Sequence, residues 1–107
     1  MNYKVEVTAK FKKQVRHLLK KYPSLKGELA VLFDSLVSEP KQGTPIGHDC
    51  YKIRLAIQSK GKGKSGGARV ITHLHVTETS VYLITIFDKS SQANISDAEI
   101  IALIKDI

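Results

Sequence analysis

The stretch Tyr51-Lys52-Ile53-Arg54-Leu55-Ala56-Ile57-Gln58-Ser59-Lys60-Gly61-Lys62-Gly63-Lys64-Ser65-Gly66-Gly67-Ala68-Arg69 carries the two signals that organise this chain. Its first part alternates. Tyr51, Ile53, Leu55 and Ile57 fall on one side of a period-two strand, and Lys52, Arg54, Ala56 and Gln58 fall on the other. Its second part is a glycine-broken loop with Lys60, Lys62 and Lys64, and it ends on Arg69 as another alternating run begins. No acid occurs between Asp49 and Glu78, so the cations Lys52, Arg54, Lys60, Lys62, Lys64 and Arg69 have no nearby counter-charge in sequence. Ordinary surfaces mix both signs, and a one-sign run is suited to a polyanion.

The following run repeats the pattern. Ala68, Val70, Thr72, Leu74 and Val76 make an inward set, leaving Arg69, Ile71, His73 and His75 on the opposite side. A long-looped hairpin of these two strands is expected to place Lys52, Arg54, Arg69, His73 and His75 on one open sheet face.

Upstream, residues 2–7 alternate as a short strand, and Thr8 is placed to cap a helix over 9–22. In that helix Phe11, Val15, Leu18, Leu19 and Tyr22 form the apolar face, and Lys10, Lys12, Lys13, Arg16, Lys20 and Lys21 cover the remainder. Pro23 stops it. Ser24 is expected to cap a second helix with the stripe Leu25, Leu29, Leu32, Phe33 and Leu36, giving a helical hairpin. Residues 41–49, with Gly43, Pro45 and Gly47, are read as a loop. Residues 81–87 are apolar on both faces, as in a central strand. Ser96-Asp97-Ala98-Glu99 is a capping-box pattern that opens a short C-terminal helix. The expected fold is a single α+β domain over 1–107: an antiparallel sheet of about four strands, an N-terminal helical hairpin and a short C-terminal helix.

Composition restricts the function classes. A net charge of +7 on 107 residues, with 42% hydrophobic content, suits one packed domain with an anionic partner such as nucleic acid. The chain has no apolar run long enough for a signal peptide or a membrane span, and its one cysteine, Cys50, has no partner for an internal disulfide, so a cytoplasmic location is expected. Cys50 stands at a strand entry with no activating neighbour in sequence, which fits a small half-buried residue.

Several chemical motifs fail on spacing. Gly61-Lys62-Gly63-Lys64-Ser65 resembles the end of a phosphate-binding loop, but the leading glycine would fall at Gln58 and the segment joins two strands. His48, Cys50, His73 and His75 lack a metal-binding frame, so no metal or other cofactor is expected. No serine has a nucleophile-elbow context.

The run Asp49-Cys50-Tyr51-Lys52-Ile53-Arg54-Leu55, the loop closing on Gly67-Ala68-Arg69-Val70, and the apolar strand leading to Asp88-Lys89 together resemble the RelE/ParE superfamily of type II toxin–antitoxin toxins. The basic insert is most similar to HigB-like members. The resemblance extends over nearly the whole chain because the order of elements also agrees. It implies a ribosome-dependent mRNA endonuclease (an mRNA interferase) that inhibits translation, with a cognate antitoxin, the ribosome and mRNA as partners and a toxin–antitoxin hetero-oligomer. Carried over by position, it implies catalytic roles for Lys52, Arg54, Arg69 and Lys89, with Lys60, Lys62, Lys64, His73 and His75 as RNA-binding residues. Two departures from the family pattern stand out: Ser90 follows Lys89 where a second basic residue is frequent, and 93–96 contains no aromatic residue to stack on a base. The same superfamily includes ParE-like toxins that inhibit gyrase, and a non-catalytic RNA-binding module would use the same charges.

Overall fold

The computed structural model describes residues 2–61 and 63–107, with only the backbone at 64 and 65. The elements in chain order are β1 (Lys4–Val7), α1 (Ala9–Lys21), α2 (Leu25–Ser38), β2 (Thr44–Gly47), β3 (Cys50–Leu55), a one-turn helix α3 (Gly63–Gly66), β4 (Ala68–His75), β5 (Ser80–Asp88) and α4 (Asp97–Ile104). The strands form one sheet in the order β1-β5-β4-β3-β2. This is the α+β class read from the sequence, with two differences in the sheet.

The first difference is an additional strand. Residues 44–47, read as loop because of Pro45 and Gly47, pair antiparallel with β3. Proline is tolerated there because β2 is an edge strand. The connection is a two-residue turn in which His48 and Asp49 are both left-handed, at φ 56° and 57°. That is the primed geometry of a tight hairpin, formed without the Asn-Gly pair that announces it in sequence. The second difference is direction: β1 lies parallel to β5, so the sheet is mixed.

The helical hairpin covers one sheet face. Thr8 accepts the Phe11 amide at 3.2 Å as the N-cap of α1, and Phe11, Leu18, Leu29 and Leu36 pack with Ile53, Val70, Leu74, Leu83 and Ile86. Ser24 makes no side-chain cap for α2. Its hydroxyl instead accepts the Ser59 amide at 2.9 Å, and Glu28 accepts the Gln58 amide at 2.6 Å, so the start of the basic loop is fastened to α2.

A bulge between Ile71 and Thr72 in the β4–β5 register skips Ile84. The extra residue changes the phase of β5: Val81, Leu83 and Ile86 face the helical hairpin, whereas Ile84 and Phe87 face the other side. Both faces of this central strand are therefore apolar. On the second face α4 lays Ile100 and Leu103 over Cys50, Ile71, Ile84 and Phe87. Its start is fixed by the expected capping box, Ser96 accepting the Glu99 amide at 3.2 Å and Glu99 accepting the Ser96 amide at 3.4 Å. The face expected to be open is thus covered at its centre by the C-terminal helix.

Candidate nucleic-acid interface

The strand phase read from the sequence holds in β3 and β4. Arg54 and Arg69 are direct cross-strand partners, and Phe87 is the partner of Arg69 in β5. Lys52 lies one row away, opposite Ile71. Lys89 follows the end of β5, where its amide donates to the Gly67 carbonyl at 3.0 Å. Lys52, Arg54, Arg69 and Lys89 therefore gather at one end of the face.

Their environments differ. Arg54 is exposed, and Lys52 and Lys89 are half-buried. Arg69 is only 4% exposed, which the alternation could not reveal. Its guanidinium donates to the Ala68 carbonyl at 3.1 Å. Burial first, and the adjacent Arg54 second, lower its pKa from the usual arginine value. The direction is informative: Arg54 acts on Arg69 as a like charge.

The histidines share this face and not this end. His73 is four residues along β4 from Arg69, about 14 Å at the rise of a strand. The apolar cluster under α4 lies between them. His73 Nδ1 is 3.5 Å from the Cys50 thiol, and burial lowers the His73 pKa. His75 pairs with Glu78. Cys50 is 1% exposed, and burial raises its thiol pKa to about 11, the environment of a structural cysteine. Among the described residues no cluster of three or more His, Cys, Asp and Glu could hold a metal, and no helix is long and apolar enough to cross a membrane.

The loop lysines are not equivalent. Lys60, expected to stand without a counter-charge, forms a buried ion pair with Asp88, their side chains 8% and 4% exposed. Its ammonium also donates to Ser90 Oγ at 2.6 Å. The Tyr22 hydroxyl donates to the other Asp88 oxygen at 2.6 Å. Burial alone would raise the Asp88 pKa, but the hydrogen bonds from Lys60, Tyr22 and Ser90 outweigh it and hold the carboxyl well below the usual range. The same contact raises the Tyr22 pKa. Lys62 falls outside the described residues, as does the side chain of Lys64.

Sequence reasoning missed Asp88 as the counter-charge, because the pair joins residues 28 apart. One signal was available: Asp88 is the only acid between Glu78 and Asp97.

The fold is similar to solved toxins. An arginine-to-alanine double mutant of the E. coli toxin RelE in the free state matches at TM-score 0.61 and 17% identity, covering 87% of this chain and 90% of that one. The isolated E. coli RelE toxin matches at 0.57 and 17%, covering 98% and 99%. A metal-bound toxin from Helicobacter pylori matches at 0.53 and 18%, covering 86% and 99%. The model of the RelE toxin of the RelE/RelB toxin–antitoxin system matches residues 31–106, more than half of the chain, and the protein belongs to that family.

Proposed function

We propose that this toxin is a ribosome-dependent mRNA endonuclease, working in the cytoplasm and held inactive by a cognate antitoxin in a hetero-oligomer. The observation that carries the reading is the cross-strand pairing of Arg54 with Arg69 beside Lys52 and Lys89. Two guanidinium groups set directly opposite each other concentrate positive charge at one place on the sheet, which draws a phosphate to that row. Guanidinium groups are suited to this because they grip two phosphate oxygens at once.

In the proposed reaction the 2′-oxygen of one nucleotide attacks the adjacent phosphorus. The bond to the 5′-oxygen breaks, leaving a 2′,3′-cyclic phosphate and a 5′-hydroxyl. The 2′-hydroxyl proton passes to water, and the Lys89 ammonium returns one to the departing 5′-oxygen. Arg54, with Arg69 beside it, stabilises the charge that grows on the non-bridging oxygens, and Lys52 holds the neighbouring phosphate. The family's toxin–antitoxin description supports the antitoxin as partner.

The deciding experiment is primer extension on mRNA after the chain is expressed alone. Cuts confined to translated frames are expected. Intact transcripts with altered plasmid supercoiling would replace this reading with gyrase inhibition.

A further inference from the structure

Lys10, Lys13, Gln14 and His17 occupy one flank of α1, spaced i, i+3, i+4 and i+7. They line a cleft of about 590 Å³ whose other wall includes Phe87 and Asp88. The cleft exists because β1 stops early. Its last residue, Val7, pairs with Leu83, and beyond that point β5 has no strand on this side among the described residues. Gln14 takes over, its side-chain oxygen accepting the Ile86 amide and the Thr85 hydroxyl, each at 3.1 Å. Lys10, Lys13 and His17 remain exposed. Among the described residues Asp88 is the sole acid in the lining, and the Lys60 ammonium already matches its charge.

We infer that this cleft is a second phosphate track, which receives the backbone of single-stranded RNA where it passes beyond the Arg54–Arg69 row. The inference rests on the endonuclease reading and extends its site. Phe87 joins the two regions, since it is the strand partner of Arg69 and also lines the cleft. From Lys10 to His17 the helix advances about 10 Å, enough for more than one phosphate. The other flank of α1 supplies a matched control, because Lys12 and Arg16 carry the same charge on the same helix away from this cleft.

The test is the salt dependence of binding to a 2′-O-methyl oligouridylate, which has no free 2′-hydroxyl and stays intact. Lys10→Ala with Lys13→Ala is expected to flatten the log–log slope by about 1.4, the value for two lost contacts to a single strand. Lys12→Ala with Arg16→Ala is expected to leave the slope near wild type. Equal flattening in both pairs overturns the cleft in favour of net charge, and no flattening in the first pair overturns it outright. Arg54→Ala, measured alongside, tests the underlying reading separately: an unchanged slope there with a flattened slope in the Lys10/Lys13 variant removes the Arg54 row and keeps the cleft. A wild-type chain that does not bind overturns the cleft as an RNA track, while the ribosome-dependent reading is decided by primer extension.

Discussion

Arg54 of β3 and Arg69 of β4 are directly paired across the sheet, the first exposed and the second buried. In the proposed reaction Arg54 contacts the RNA, while Arg69 adds a fixed, poorly hydrated charge beside it. Arg54→Ala is therefore expected to lower RNA cleavage by about a hundredfold or more, the usual cost of losing a group that stabilises transition-state charge. Thermal melting of the same variant should stay near wild type, because the side chain is exposed and its removal relieves a like-charge contact. Full cleavage by Arg54→Ala would remove this row from the chemistry.

His73 and His75 sit at the other end of the face, engaged with Cys50 and Glu78. The variant His73→Ala/His75→Ala is expected to keep both cleavage and its salt dependence. A flatter salt slope would show that RNA reaches across the face despite α4. Burial lowers the His73 pKa, so its imidazole should titrate below the ordinary histidine value in an NMR pH series.

The elements legible in the sequence were those set by local rules. Apolar spacing gave α1 and α2, the Ser96–Glu99 box gave α4, and period-two alternation correctly sorted Lys52, Arg54 and Arg69 onto one face. Phase fixes direction and not depth, so it could not show that Arg69 is buried or that Ile100 and Leu103 close over the middle of the face. The β2–β3 turn was hidden because His48-Asp49 adopts a geometry usually written with glycine. Lys60 was misread because its counter-charge comes from another element, and the absence of acids within a segment says nothing about acids brought to it by folding.

Asp88 fastens the basic loop to the end of β5 and to Tyr22 of the helical hairpin. Asp88→Asn should cost about 3 kcal/mol of stability, since breaking a buried pair leaves the Lys60 ammonium without its counter-charge. The pH dependence follows from the lowered folded-state pKa of Asp88. Its contribution is fully present above about pH 4, the unfolded carboxyl value, and declines as pH falls from there toward the folded value. Urea unfolding at neutral and acid pH should thus show the gap between wild type and Asp88→Asn narrowing below about pH 4. A gap that stays constant would mean that the cost of Asp88→Asn does not come from loss of the carboxylate charge.

Gly67 closes the basic loop immediately before β4, where its carbonyl accepts the Lys89 amide at 3.0 Å. A Cβ at this position would lie 2.1 Å from the Leu55 carbonyl oxygen and 3.1 Å from the Ile57 amide nitrogen. Both are backbone atoms, so no side-chain rotation relieves the clash, and β3 must shift relative to β4 in the row next to Arg54 and Arg69. Gly67→Ala should therefore lose at least about 2 kcal/mol, within the range for overpacking a tight site. It should also reduce RNA cleavage at temperatures well below its melting point, because the shift moves the paired arginines. Gly61 is the comparison: its φ of +76° favours glycine, but an added Cβ meets nothing within 4 Å. Gly61→Ala should cost about 1 kcal/mol of backbone strain and leave cleavage intact. Urea unfolding and cleavage assays on the two variants separate the effects, and equal behaviour would show that the close approach at Gly67 does not hold the row in place.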